Sequence, residues 1–213
     1  MRIGWVTPLR VTGLQIRGAT GSEVSIDQFD MDTTITDLIG SSTNHLGQIA
    51  VRGVQVACTI DDGRCSLEDD LQQLLEPTDD QSTTSAKVKL QDVSVSVTDV
   101  VARGTWQVTQ SNASVDIGTD RVQVTFAGVL TEPGGSGGSL QGLMEFSSDQ
   151  PPGSDSANPW RLDINSESLP LSVVSLVRRR FPESASAIPQ TVHGDATGAV
   201  RMVGQPDGTT ELA

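Results

Sequence analysis

Tyrosine is absent from the 213 residues, and phenylalanine and tryptophan bring the aromatic fraction to only 3%. With 36% of residues hydrophobic, and these mainly Val, Leu and Ile, the expected core is thin or one-sided. Positive charge is scarce too: 14 Lys and Arg stand against 27 Asp and Glu, for a net charge of −13. Such a chain repels nucleic acid and anionic membrane surfaces, which leaves a soluble, extracytoplasmic protein as the better fit. No stretch approaches the ~20 apolar residues of a membrane-spanning helix. The N-terminus also lacks the basic-then-apolar layout of a secretory signal. The expectation is therefore a fragment of a larger protein, with any targeting segment removed.

What is abundant is punctuation. Twenty-one Gly and ten Pro separate short Val-rich runs, the cadence of a β protein rather than of a helix bundle. Leu9–Arg17 reads as extended. Val24 and Ile26 alternate, and the apolar phase then slips by one residue to Phe29 and Met31, which suggests a bulge. Thr34 is placed to cap a short helix carrying Ile35, Leu38 and Ile39. Ile49 and Val51 lead into Val54, Val56, Cys58 and Ile60, an alternation ending at an Asp61-Asp62-Gly63 turn. Ser66 is placed to cap a helix with Asp69 three residues on, striped by Leu67, Leu71, Leu74 and Leu75 and stopped by Pro77.

From Val88 onward the pattern is a meander. Its runs are Val88/Leu90, Val93/Val95/Val97, Trp106/Val108, Val115/Ile117 and Val122/Val124/Phe126. Glu132–Ser139 and Gln150–Pro159 read as exposed, Gly/Ser/Pro-rich connections on either side of Leu140–Phe146. Trp160, Leu162 and Ile164 form another strand. Leu169-Pro170-Leu171 opens a helix ending in Arg178-Arg179-Arg180, and 194–212 reads as a final hairpin. The fold class expected is mostly β with a few short helices: an extended, twisted antiparallel sheet, groove-like or sandwich-like. The units are 1–77, a linker at 78–85, and 86–213 continuing into a larger β architecture.

Chemical motifs are few. His45 and His193 lie far apart with no nucleophile motif beside them, and Gly134-Gly135-Ser136-Gly137-Gly138 matches G-x-S-x-G only as a string, without the strand-then-helix setting of a nucleophile elbow. The acidic pairs 61–62, 69–70 and 79–80 lack the alternating spacing of a calcium loop. No enzyme, cofactor or metal site is expected. Cys58 and Cys65 stand as either a disulfide across the Asp-Asp-Gly turn or two reduced small hydrophobes. The one-faced strands carry Val93, Val95, Val97, Val122, Val124 and Phe126 as candidates for a concave apolar surface that accepts acyl chains.

The order of segments resembles the AsmA-like/TamB-like bacterial envelope proteins. The likeness rests on VTGLQIRGATG at 11–21, IDQF at 26–29, DLIG at 37–40, GQIAVRGVQV at 47–56, DDGRCSLEDDL at 61–71, KLQDVSVSVTD at 89–99, SLPLSVVSLV at 168–177 and HGDATG at 193–198. It covers roughly Leu9–Met202. The resemblance implies a non-catalytic periplasmic groove segment serving lipid transport or outer-membrane biogenesis. Phospholipid or another acyl-chain ligand, the flanking parts of the same chain and other envelope proteins would be its partners. The family's membrane anchor is missing from this chain. The alternative is a structural or adhesive β-sandwich module of a larger extracytoplasmic protein, its apolar faces paired with each other.

Overall fold

The computed structural model describes residues 7–34, 45–75, 85–118, 121–135, 137–147, 160–180, 192–204 and 210–212. In chain order they form β1 (Pro8–Arg17), β2 (Glu23–Thr34), β3 (His45–Asp61), β4 (Arg64–Cys65), α1 (Ser66–Leu75), β5 (Ser85–Asp99), β6 (Gly104–Ile117), β7 (Arg121–Thr131) and β8 (Gly137–Ser147). There follow β9 (Trp160–Pro170), α2 (Val173–Arg180), β10 (Asp195–Gly204) and β11 (Thr210–Leu212). Every one of these strands belongs to a single open sheet, ordered β1-β2-β3-β5-β6-β7-β8-β9-β10-β11 with β4 paired to β3. The chain is mostly β, as its composition predicts. Among the described residues no second sheet packs against this one, so of the two expected forms the sandwich is absent.

All neighbours run antiparallel except β3 and β5, which are parallel. A parallel pair cannot be joined by a tight turn, and the intervening crossover is where β4 and α1 are inserted. The expectation of a purely antiparallel sheet is corrected at this one junction. Through it the expected units 1–77 and 86–213 share one sheet, while the expected short helix at 35–40, Pro77 and the Gln150–Pro159 connection lie outside the described residues.

The strands are longer than the apolar runs that announce them. Val88/Leu90 and Val93/Val95/Val97 are one strand, β5, and Trp106/Val108 and Val115/Ile117 are likewise one strand, β6. The polar residues between the runs are phase switches. Asp92 and Gln110 adopt left-handed backbone, with φ of 54° and 52°, and after each the next apolar side chain returns to the same face. Gly13 and Gly53 do the same in β1 and β3, with φ of 66° and 63°. Across β1, β2, β3 and β5, the positions Gly13, Asp27, Gly53 and Asp92 stand level, with ladder pairs on both sides and none between them. The slip read at Val24/Ile26 to Phe29/Met31 is real, but it is shared by neighbouring strands in register rather than being a bulge of β2 alone.

The β3–β4 hairpin follows its sequence closely. Asp61 pairs with Arg64, and the two loop residues, Asp62 and Gly63, have φ of 45° and 78°, the mirror-image turn that Asp-Gly favours. Ser66 opens α1, but its hydroxyl accepts from the Thr59 amide of β3 at 2.9 Å, and Asp69 pairs with Arg64 at 3.1 Å. The expected Ser66/Asp69 capping box is thus diverted to tie the helix to its hairpin.

From α1, Asp70 reaches the β1–β2 turn and accepts from the Thr20 amide at 2.9 Å and from the Ser22 amide and hydroxyl at 3.3 and 2.5 Å. The Ser22 hydroxyl, then the Thr20 amide, hold this carboxyl down from 3.8 to about 2. A depressed carboxyl contributes stability that is complete above its ordinary value and is lost as pH falls through its folded value. Amide-exchange protection at Thr20 and Ser22 is expected to hold at about pH 5 and to fall toward pH 2, while the β6–β7 ladder keeps its protection longer.

The buried core is small and lies toward one end of the strands, where Ile60, Trp106, Leu130 and Leu176 pack together with Cys65, Val97, Val108, Leu140, Leu169 and Val173 around them. Helix α2 covers this end through Leu176. Leu169 and Pro170, expected to begin the helix, instead finish β9. The triple arginine ends α2 as expected and is more than a solvated terminus. Arg179 grips Asp99, a fully buried residue at the end of β5, with Nε and Nη1 each 3.1 Å from its carboxylate, and Arg180 pairs with Glu68 of α1.

Candidate functional site: an apolar lane across the sheet

Pairing registers place one apolar side chain beside another from strand to strand. Leu9 of β1 pairs with Met31, Met31 with Ile49, Ile49 with Val88, Val88 with Val115, and Val115 with Val124. Val124 then pairs with Met144, Met144 with Leu162, and Leu162 with Met202 of β10. A second row lies beside it, running Val11, Phe29, Val51, Leu90, Ala113, Phe126, Gly142, Ile164 and Val200. Nine strands separated by about 4.8 Å make each row roughly 38 Å long. No polar residue interrupts either row.

These rows are open. Every member of the first is half-buried, and of the second only Val51 is buried. The core under α2 includes no residue of either row. The sheet is not closed, so both rows begin at the free edge of β1 and continue to β10. A continuous exposed apolar band of this length is unusual for a water-facing surface. Gly142 sits in the second row against Phe126: a Cβ there would fall 2.3 Å from the ring, so the glycine lets the phenylalanine lie flat along the band.

The six side chains singled out from sequence share this face but not one environment. Val122, Val124 and Phe126 are on β7, with Val124 and Phe126 in the two rows. Val93 and Val95 lie beyond the phase switch at Asp92, and Val97 is packed against the α2-covered core. Leu130, in phase with Phe126 along β7, joins Val97 and Trp106 in that core, so the two halves lie on one face. Met31, Met144, Leu162 and Met202 were not candidates. Their alternation is readable, but their alignment depends on inter-strand register.

Cys58 and Cys65 are free thiols in the structure, Cys58 buried and Cys65 half-buried. Burial, then the neighbouring Cys65, pushes the Cys58 thiol up to about 11, so Cys58 is a poor nucleophile. Incubation with excess oxidised glutathione is expected to join Cys58 to Cys65, the added disulfide taking up the two electrons and leaving as two reduced glutathiones, and to add about 2.5 kcal/mol of stability on the chain-entropy model. Peptide mapping under non-reducing conditions checks this, and an unchanged unfolding midpoint after oxidation would count against it.

Among the described residues no group of three or more His, Cys, Asp or Glu converges to hold a metal, and no helix is long and apolar enough to cross a membrane. His193 is exposed, and the carboxylates whose pKa values are depressed are occupied structurally: Asp30 by Arg10 and Gln28, Asp163 by Arg201 and Arg161. No protein-family model matches the chain, and no curated protein matches it.

Proposed function

We propose that this chain is a non-catalytic, lipid-handling segment whose two apolar rows hold acyl chains laid across the strands. The observation that carries the reading is the uninterrupted row from Leu9 to Met202, half-exposed along its whole length and running from the free edge at β1 to β10. A methylene removed from water gains about 0.8 kcal/mol, so roughly ten methylenes half-covered by the rows are worth about 4 kcal/mol. That is enough to retain a chain without a specific polar site and weak enough to let it slide. The three methionines of the first row, unbranched and polarisable, suit chains of varied shape. The resemblance to AsmA-like/TamB-like proteins supports the same reading. With it come a periplasmic or envelope location, a role in lipid transport or outer-membrane biogenesis, and flanking sequence or envelope proteins as partners.

The test is to purify the protein from bacterial membranes and identify co-purifying lipid by mass spectrometry, comparing wild type with a folded Val124→Asp variant. A carboxylate in the middle of the row opposes acyl contact over the neighbouring strands. Phospholipid bound to wild type and reduced severalfold in the variant is the expected result. No lipid, or equal lipid in both, leaves a structural or adhesive module as the better account.

A further inference from the structure

The opposite face of the same sheet carries the larger cavities, and the acyl-chain reading leaves them unused. A recess of about 510 Å³ opens over β5–β9, adjoined by others of about 470 and 530 Å³ that share Gln141, Leu143, Asp163 and Asn165 with it. Alternation along β7 fixes the face: Phe126 points into the apolar row, so Thr125 and Ala127 point away from it. Here too register builds a row, in which Asn112 pairs with Ala127, Ala127 with Gln141, and Gln141 with Asn165. The Ala127 methyl stands between the carboxamides of Asn112 and Gln141, and Gln91 also lines the recess. The Ser114 and Thr125 hydroxyls, bonded to each other at 2.6 Å, complete one side.

The chemistry of this lining is specific. Gln91, Asn112, Gln141 and Asn165 are all exposed, and none of the four carboxamides hydrogen-bonds to another described part of the protein. Each offers a donor and an acceptor without charge, the complement of a hydroxyl, which also donates and accepts. Charge in the recess is balanced, with Lys89 on one side and Asp163 on the other, the latter held by Arg161 and Arg201 at 2.6 Å each. A polyanion is disfavoured by the net charge of −13.

We propose that this recess binds an extended, uncharged oligosaccharide lying across β6–β9. The strand spacing of about 4.8 Å is close to the advance of one sugar ring along an extended glycan, so rings over β6, β8 and β9 meet Asn112, Gln141 and Asn165 while the ring over β7 rests on the Ala127 methyl. Binding rests on hydrogen bonds, since the one aromatic residue of the lining, Phe126, turns its ring to the opposite face beside Gly142 and offers no stacking platform here.

To test it, the full chain is screened against an array of neutral oligosaccharides, and cellotetraose and chitotetraose are titrated while the side-chain amide signals of Asn112 and Gln141 are followed by NMR. Ala127→Leu fills the floor without removing a hydrogen-bonding group; Gln141→Ala removes one without filling it. Both are expected to weaken binding by about fivefold or more, Gln141→Ala by the worth of one hydrogen bond and Ala127→Leu by lifting the sugar away from the carboxamides. Lipid recovered with the same two variants is expected to be unchanged, because the apolar rows are on the other face. Absence of any bound oligosaccharide, or equal affinity in the Ala127→Leu variant, overturns the proposal whatever the lipid result.

Discussion

Replacing Gly138 by alanine is expected to destabilise the protein by about 3 kcal/mol or to prevent folding, although the residue sits in what reads as a disposable glycine loop. Gly138 is buried at the start of β8, where β9 passes so closely that a Cβ would lie 2.1 Å from the Ser168 carbonyl oxygen and 2.5 Å from that of Glu167. Both obstacles are backbone, and Ser168 is already in left-handed conformation with φ of 52°. Relief requires the two strands to separate, just ahead of the turn into α2. Gly135, three residues earlier, is the control: its φ of 95° disfavours alanine, but nothing lies within 4 Å of the added methyl. Gly135→Ala is expected to cost about 1 kcal/mol, from conformation alone. Urea unfolding of both variants decides the matter, and equal effects would contradict the close approach.

Arg179→Met is expected to lower stability by about 3 kcal/mol, because it leaves the Asp99 carboxylate buried without its cation. Asp99 has no exposed surface, and among the described residues its carboxylate accepts, besides Arg179, from the Ala102 amide at 2.8 Å. Its Oδ2 has no hydrogen bond of good geometry, so the nearby guanidinium charge is its main compensation. Combining Arg179→Met with Asp99→Asn should recover part of the loss, since a buried amide costs less than a buried carboxylate. A single-variant loss below about 1 kcal/mol would mark the pair as an ordinary surface contact. Amide exchange in α2 is expected to accelerate in Arg179→Met, because the same contact fastens the helix to the end of β5.

Legibility from sequence divides along a physical line. Alternation within a strand is local, and it identified β1, β3 and β7 because Val, Leu and Ile repeat there with period two. A left-handed residue within a strand is local too, but it looks like a turn. Asp92 and Gln110 interrupt apolar runs as a loop would, and only the backbone distinguishes a phase switch from a chain reversal. Glycine is ambiguous in the same way: composition marks 132–139 as a linker, yet Gly137 and Gly138 belong to β8, where the absence of a side chain admits a neighbouring strand. What no local pattern contains is register. The Leu9-to-Met202 row and the Asn112–Ala127–Gln141–Asn165 row both arise from the alignment of distant segments. The candidate site therefore emerged only in part, through Val124 and Phe126, while three methionines of the row went unrecognised.

The parallel pairing of β3 with β5 has a consequence for the order in which the molecule assembles. From β5 to β8 each strand meets its predecessor by direct reversal across a short connection, so this meander can zip forward with small loop closures. The β3–β5 contact must instead wait for the whole crossover between Asp61 and Ser85 to be positioned, with the Asp62-Gly63 hairpin and α1 as its organising pieces. The larger closure entropy is met before any ladder bond rewards it, which makes this junction the natural kinetic barrier. Refolding is expected to start from the β5–β8 meander, with β1–β3 joining late along β5; pulse-labelled amide exchange that protects β1–β3 first would contradict this.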